Sequence, residues 1–307
     1  MTGDAHRAPP VSFYTQPMDE LKSSELVLAP SGNLYHINMN GDNLADDIFL
    51  VGDPDRVNMF KELFDSIEYE SQNRELHALT GTYRGHRFTA LSTGMGCDNI
   101  DIVVTELDAA ANIDLASRRI KAGHRTLNMV RIGTSGSLHS DIACGSLVAS
   151  AYAIGLDGLL NYYEHRDEEL EEAMTEAFAS YMQFPGRLAR PYCVKGSAKL
   201  LDKVADIAVK GITATAPGFY APQGRHIRIA PAVKDLNEKL AAFRWDGLKV
   251  TNLEMETSAI YGLAKIMGHN ALTVCLIIAN RADGTFINDY HGLMRDTIVK
   301  IMERMSK

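Results

Sequence analysis

Hydrophobic and polar positions along the chain alternate between short apolar runs and longer amphipathic segments. Asp47–Val51 is a short apolar run that ends at Gly52, and it predicts a buried strand. Directly after it, Asp53 can cap a helix, and Pro54 suits the first helical position because a missing N–H costs nothing there. The apolar positions that follow recur at helical spacing, so a strand followed by a capped helix is predicted.

The same alternation continues to the carboxy terminus. Further strands are expected at 82–83, 87–91, 127–132, 146–151, 192–194, 212–214, 248–252 and 271–278. Helices are expected at 98–112, 168–182, 197–208, 233–243, 255–267 and 289–305. Because strands alternate with helices, the predicted fold is α/β, a single three-layer α/β/α domain with a central mixed sheet. Ligands of such sheets bind beyond the carboxyl ends of the strands.

Residues 1–30 are expected to form a flexible leader, and residues 31–307 the one domain. The chain begins with a polar segment without the apolar core of a signal peptide, and its longest strongly apolar stretch, 271–279, is too short to span a bilayer. The four cysteines have no C-x-x-C spacing, which predicts reduced thiols and no metal site. A cytoplasmic location is therefore predicted.

The formal net charge of the chain is -8. This acidity argues against a nucleic-acid or membrane partner, and it requires positive charge to be concentrated wherever a small anion binds. Two segments provide such a concentration, 52–56 (GDPDR) and 131–136 (RIGTSG), because each sets an arginine beside glycine N–H groups. A capped helix start and a structural salt bridge are the alternative interpretations of these two segments.

Two further segments suggest the rest of a ligand. In 218–225 (GFYAPQGR), an aromatic ring lies close to an amide and a guanidinium, which suits the polar edge of a planar base such as uracil. In 252–256 (NLEME), two acids at alternate positions could bind the vicinal hydroxyls of a ribose. The alternatives are a surface turn for the first segment and the preference of acids for a helix amino end for the second.

Taken in this order, the four segments resemble the nucleoside phosphorylase-I family. The resemblance runs from about His36 to the last predicted helix, and it includes 73–75 (NRE) and 280–281 (NR). The Phe-Tyr-x-x-Gln-x-Arg pattern at 219–225 is similar to that of the members that cleave uridine. Family members that act on purines place an aspartate near this loop, whereas no acid occurs here between Gly211 and Arg225.

The resemblance implies a role for each candidate residue. The expected phosphate ligands are Gly52, Arg56, Arg74, Arg131 and Thr134. The expected uracil ligands are Phe219, Gln223, Arg225 and Ile278, and the expected ribose ligands are His36, Thr134, Glu254, Met255 and Glu256. Arg131, Arg225 and Glu256 are the expected catalytic residues. Arg74 and His36 would reach into the site of a neighbouring subunit, so the resemblance implies a homodimer with shared active sites.

The implied reaction is phosphorolysis of uridine, with deoxyuridine and thymidine as further candidates, to uracil and ribose 1-phosphate in pyrimidine salvage. Inorganic phosphate is a co-substrate, and neither a cofactor nor a metal is expected. Three alternatives stay open: a purine nucleoside phosphorylase, a nucleoside hydrolase of the same fold, and a catalytically weak nucleoside-binding paralogue. A dehydrogenase is excluded because no G-x-G-x-x-G follows the first strand.

Overall fold

The computed structural model describes residues 20–307, apart from the side chain of Asp167. Residues 1–19, which make up most of the predicted leader, lie outside that range. The remainder of the predicted leader contains Leu26, which is buried. In the described part of the chain, no helix has the length and apolarity needed to cross a membrane.

Strands and helices largely follow the predicted alternation. The strands are β1 Asp47–Val51, β2 Ser66–Asn73, β3 Leu76–Tyr83, β4 His86–Ser92, β5 Ile113–Asp114, β6 Arg119–Ile120, β7 Asn128–Ser137, β8 Leu147–Gly155, β9 Tyr192–Lys195, β10 Val209–Thr215, β11 Arg244–Trp245, β12 Leu248–Glu254, β13 Asn270–Asn280 and β14 Thr285–Phe286. The α-helices are α1 Pro54–Leu63, α2 Cys97–Asn112, α3 Glu172–Met182, α4 Ala198–Asp202, α5 Leu236–Ala242, α6 Thr257–Ile266 and α7 His291–Met305.

Within residues 20–307, one mixed sheet of 12 strands organises the fold, in the order β11-β12-β10-β8-β13-β7-β1-β4-β3-β2, with β9 beside β8 and β14 beside β13. In addition, β12 pairs antiparallel with β7, through Asn252 with Ser137 and Leu253 with Gly136. This extra pairing closes the strands β7, β13, β8, β10 and β12 into a barrel. We call the β7–β12 pairing the seam.

Two apolar cores lie on the two faces of the sheet. Along β1, Phe49 and Val51 belong to one core, whereas Ile48 and Leu50 belong to the other, because successive strand side chains point to opposite faces. The first core contains residues of α1, α3, α4, α5 and α7, and the second contains residues of α2 and α6. The predicted α/β domain with three layers and a central mixed sheet is confirmed.

The structure corrects the predictions at several places. The short strands β5, β6, β11 and β14 were not predicted, and β3 was predicted only at 82–83. The strand expected at 127–132 continues through the glycine-rich stretch 133–136, because β13 pairs with it as far as Ser137. The strand β2 was not predicted, since it lies at the edge of the sheet and has few buried side chains. The helix expected at 197–208 is confined to Ala198–Asp202.

Candidate active site

A cavity of about 740 Å³ lies where the carboxyl-terminal parts of β1, β7, β12 and β13 meet the loop after β10. All the predicted site residues line it, except Arg74 and His36. The lining residues are Gly52, Asp53, Pro54, Arg56, Glu75, Gly94, Met95, Asn99, Arg131, Thr134, Ser135, Gly136, Phe219, Gln223, Arg225, Leu253, Glu254, Met255, Glu256, Ile278, Ala279, Phe286 and Tyr290. The fold therefore brings together segments that are far apart in the sequence.

One end of the cavity is formed by the start of α1. The Asp53 carboxylate accepts the Asp55 N–H at 2.9 Å and caps the helix, and Pro54 occupies its first turn, as the sequence predicts. Arg56, in the same turn, is buried and forms no ion pair with any acid among the described residues. Because a helix amino end also carries partial positive charge, this end of the cavity suits an anion.

Arg131 approaches the same region from the middle of β7. Its guanidinium folds back over Gly133, where a Cβ atom would lie 1.9 Å from Arg131 Nη1. The guanidinium then hydrogen-bonds the Glu256 carboxylate and lies 3.4 Å from Glu254 Oε2. Its Nε is buried and has no hydrogen-bond partner in the described part of the chain. Gly133 is thus needed to give the arginine room within the strand.

The charges of Arg131, Glu254 and Glu256 depend on one another. Burial opposes the charge of Arg131, but the carboxylates of Glu256 and Glu254 outweigh it and raise the pKa of the arginine. Burial raises the pKa of Glu256, Arg131 opposes this effect, and Glu254 adds to it. Two acids therefore share one arginine away from bulk water, and an anion that approaches Arg131 must compete with both acids.

Glu254 and Glu256 have different partners. The Glu254 carboxylate accepts hydrogen bonds from the Thr215 hydroxyl at 2.7 Å and from the N–H groups of Glu256 and Thr257 at 2.9 and 3.0 Å. It thereby caps α6 in place of Glu256, whose side chain makes no capping bond. Glu256 instead accepts the Gly96 N–H at 2.8 Å and bonds Arg131. Of the two acids, Glu256 is the one with the fewer bonds to the protein.

The loop after β10 lines another part of the cavity. Gln223 is buried in a short 3₁₀ turn, Ala221–Gln223, which accommodates Pro222. The Arg225 guanidinium donates to Gln223 Oε1 at 2.7 Å and lies 3.7 Å from the centroid of the Phe219 ring. An amide, a guanidinium and an aromatic ring thus converge, as the sequence pattern predicts.

Arg281 adjoins the Gln223 region, although it does not itself line the cavity and was not predicted as a ligand. Its Nη2 donates to the Gln223 carbonyl at 3.0 Å, and its Nη1 is buried without a partner among the described residues. Burial lowers the pKa of Arg281, and burial together with the charge of Arg281 lowers that of Arg225. Within the described range, neither arginine forms an ion pair with an acid, so positive charge is uncompensated here.

Arg74 and His36 lie together outside the cavity of their own chain. Arg74 is exposed and has a φ of 56° in the tight turn between β2 and β3. His36 Nδ1 is 2.6 Å from a Glu106 carboxylate oxygen. The Asn73 amide donates to the Tyr35 carbonyl at 2.9 Å and to the His36 carbonyl at 3.1 Å, which holds the two segments together. Their predicted role in a neighbouring site stays a prediction.

Comparison with known proteins decides the family. The sequence profile of the Phosphorylase superfamily matches residues 47–305. The chain belongs to the phosphorylase superfamily. Nucleoside phosphorylases of this superfamily bind a nucleoside and phosphate.

Relatives of this phosphorylase differ in the base that their names give. The uridine phosphorylase of Thermococcus kodakarensis is 29% identical over 272 residues, which cover 88% of this chain and 85% of the relative. A DeoD-type purine nucleoside phosphorylase of Clostridium perfringens is 30% identical over 244 residues, 79% of this chain and 85% of the relative. The solved structure of a Trypanosoma brucei nucleoside phosphorylase, described as showing uridine phosphorylase activity, has 27% identity and a TM-score of 0.81, and it covers 92% of this chain and 100% of its own.

Several residues that line the cavity of the phosphorylase were not predicted. They are Asp53, Pro54, Glu75, Gly94, Met95, Asn99, Ser135, Gly136, Leu253, Phe286 and Tyr290. Glu75 and Asp53 each adjoin a predicted ligand, and that adjacency was the available signal. Phe286 and Tyr290 follow β13 in a segment without a motif, so the sequence offered no signal for them.

Away from the cavity, Asp108, His124 and His269 have ligand atoms within 4.8 Å of one another. The Leu127 N–H donates to His269 Nδ1 at 3.1 Å, so the ring proton lies on Nε2, which faces Asp108 at 3.1 Å. This tautomer leaves no lone pair on Nε2 for a metal ion. Hydrogen bonding therefore accounts for this cluster.

Proposed function

We propose that this phosphorylase cleaves uridine with inorganic phosphate, giving uracil and ribose 1-phosphate. The observation that carries the proposal is the part of the cavity around Gln223. Arg225 lines it, Arg281 holds the Gln223 carbonyl, and neither arginine has an acid partner among the described residues. A pyrimidine leaves the sugar with negative charge on its ring, which Arg225 stabilises by direct contact and the nearby charge of Arg281 stabilises further. The named relatives from Thermococcus kodakarensis and Trypanosoma brucei support this choice of base.

In the proposed reaction, a phosphate oxygen bonds to C1′ of the ribose as the bond between C1′ and N1 of uracil breaks. The electron pair of the broken bond stays on uracil, where Arg225 and Gln223 stabilise it until the ring takes a proton from solvent. Arg56 and Arg131 hold the phosphate beside Gly52 and Thr134. No residue forms a covalent bond, so catalysis comes from positioning and electrostatics.

The ribose would lie between the bound phosphate and the bound uracil. Glu256 accepts the 2′-hydroxyl, and its negative charge favours the positive charge that develops on the sugar as the base departs. Met255 packs against the sugar, and Thr134 lies between phosphate and ribose. The Glu254 carboxylate already accepts hydrogen bonds from Thr215 and from the amino end of α6, so we propose that it supports the ribose site indirectly. Glu256 remains the proposed catalytic carboxylate.

A homodimer would supply the missing positive charge. Among the described residues, four acids line the cavity, Asp53, Glu75, Glu254 and Glu256, against three arginines, Arg56, Arg131 and Arg225. A phosphate dianion entering such a cavity gains little unless another cation joins it. Arg74 of the partner subunit would provide that cation, and His36 of the partner subunit would reach the 5′-hydroxyl of the ribose.

One assay tests the proposed reaction. The protein is incubated with uridine, with and without inorganic phosphate, and uracil and ribose 1-phosphate are quantified; thymidine, deoxyuridine and inosine are run in parallel. We expect uracil release only with phosphate, and little hypoxanthine from inosine. Preferred cleavage of inosine would replace the proposal with a purine phosphorylase, and release without phosphate would replace it with a hydrolase. Binding of uridine without release would indicate a catalytically weak paralogue.

In a cell, the proposed activity would serve pyrimidine salvage in the cytoplasm. The proposed reaction needs uridine and inorganic phosphate and no cofactor. An assay in the presence of a strong chelator tests this part of the proposal, because a required metal ion would make the activity fall.

A further inference from the structure

A chain of buried polar side chains lies behind the cavity and ends at Glu254. Thr215, the last residue of β10, is fully buried, and its hydroxyl donates to Glu254 Oε1 at 2.7 Å. We propose that Thr215 is a positioning residue of the phosphate site that acts on Arg131 through Glu254. This inference rests on the proposed function, since it takes Arg131 as a phosphate ligand.

The direction of the Thr215 hydroxyl is fixed by its second partner. Its oxygen accepts the Ser258 N–H at 3.0 Å, so its own proton is free to be donated, and the Glu254 carboxylate can only accept. Ser258 is held in turn, because its hydroxyl donates to Asp157 at 2.8 Å and Asp157 also accepts the Tyr192 hydroxyl at 2.8 Å. Thr215 therefore presents its proton to Glu254 from a rigid position.

The bond determines how Glu254 divides its interactions. With Thr215 on Oε1 and the first N–H groups of α6 on both oxygens, Glu254 Oε2 stays 3.4 Å from Arg131 Nη1, a charge contact rather than a close hydrogen bond. A buried carboxylate that loses a donor must find another or remain unsatisfied. The nearest cationic donor is Arg131, which would then be held more tightly by protein acids and would be less available to phosphate.

Thr213 offers a matched comparison on the same strand. It is also fully buried, and its hydroxyl donates to a β12 side chain, Asn252 Oδ1, at 2.9 Å. Removing this hydroxyl weakens the contact of β10 with β12, and also the Thr213 contact with Ser150 on β8, but it leaves Glu254 with all its donors. A comparison of the two positions thus separates the positioning of Glu254 from general weakening of β10.

The test uses the variants Thr215→Val, Thr215→Ser and Thr213→Val, with steady-state kinetics and calorimetric titration of inorganic phosphate. Loss of a hydrogen bond to a charged group changes an equilibrium by about tenfold or more, so Thr215→Val should raise the KM and Kd for phosphate by about tenfold. The KM for uridine should change by less than about twofold, because the lost interaction concerns phosphate alone. Thr215→Ser keeps the donor and should restore wild-type phosphate binding.

Two results would overturn the inference: unchanged phosphate binding in Thr215→Val, or an equal rise in the phosphate constants in Thr213→Val. If Thr215→Val does not fold, Thr215→Cys takes its place, since a thiol is a weaker donor and should give an intermediate rise. A wild-type protein that binds phosphate but does not cleave uridine would refute the proposed reaction alone. The titrations would still decide the role of Thr215 in that case.

Discussion

Gln223 illustrates how the cavity orients a single side chain. Arg225 has no acceptor atom, so the side-chain atom of Gln223 that faces it must be Oε1, and Nε2 is left to donate to a ligand. Arg281 holds the carbonyl of the same residue. Two arginines thus fix both the backbone and the amide of Gln223, and the donor that results matches a carbonyl oxygen of uracil.

Replacing Arg225 should therefore remove two contributions at once. Arg225→Ala loses a donor to the leaving base and releases the Gln223 amide, so kcat/KM for uridine should fall by about 10²–10³. Arg228→Ala is the control, because Arg228 is exposed in the same loop and does not line the cavity. Steady-state kinetics and circular dichroism of both variants check this. A folded Arg225→Ala enzyme with near wild-type kcat/KM would contradict the assignment.

The acid limb of the pH profile should report Glu256. Burial raises the pKa of Glu256 above the ordinary value of 4.5, with Glu254 adding to the effect against Arg131. As the pH falls, Glu256 is therefore protonated at a higher pH than an exposed glutamate, and its carboxylate no longer accepts a hydrogen bond from the 2′-hydroxyl. We expect kcat/KM for uridine to decline with a midpoint above 4.5.

Glu256→Gln provides the comparison for this profile. The variant should be slower at every pH and should lack the decline that belongs to Glu256, while the ionisation of phosphate itself affects both proteins equally. Rates measured over the acidic range in one buffer series would show this. An identical midpoint in both proteins would assign the limb to another group.

Among the elements, β7 combines two functions. It lies between β1 and β13 in the sheet, and it presents Arg131 to the cavity by keeping Gly133 free of a side chain. A glycine within a strand normally weakens it. Here its lack of a Cβ makes room for a guanidinium.

Gly133→Ala should therefore displace Arg131. The new Cβ would lie 1.9 Å from Arg131 Nη1, so the arginine must move away from Glu256 and the phosphate, and the KM for phosphate should rise by at least about tenfold. Gly123→Ala is the matched control, since a Cβ there meets nothing within 4 Å. Phosphate saturation curves and melting temperatures of both variants test this, and wild-type saturation in Gly133→Ala would show that Arg131 is not needed there.

The elements also show what the sequence could and could not predict. The start of α1 was predicted correctly because its signals, Asp53 and Pro54, are local. The continuation of β7 through 133–136 depends on pairing with β13, about 140 residues away, and overrides the local preference of glycine for turns. Likewise, the capping of α6 by Glu254 involves Thr215 on another strand, and Arg281 meets Gln223 only in the folded chain.

At the scale of the whole molecule, the positions of Arg74 and His36 bear on how two subunits would assemble. Asn73 holds the two segments on one small surface outside their own cavity, while the neighbouring Glu75 lines that cavity. A two-fold axis close to this surface would place Arg74 and His36 of each subunit at the cavity of the other. A C₂ dimer is the commonest assembly with such reciprocal contacts.

Mixed dimers test this sharing of residues. Arg74→Ala and Arg225→Ala should each be nearly inactive alone, but a mixed dimer has one cavity with an intact Arg225 and an intact Arg74 from its partner. Random reassociation of equal amounts should restore roughly a quarter of wild-type activity. Activity measured after mild dissociation and mixing checks this. If each active site is complete within one chain, mixing restores nothing.

The seam between β7 and β12 has a consequence for how the chain acquires activity. It joins residues more than a hundred positions apart, Ser137 with Asn252, and such distant contacts form slowly because a long loop must close first. Both strands of the seam contribute residues to the cavity, Thr134 on β7 and Glu254 on β12. During refolding, we therefore expect helical circular dichroism to recover before enzymatic activity. Simultaneous recovery of both signals would show that the barrel closes as early as its helices form.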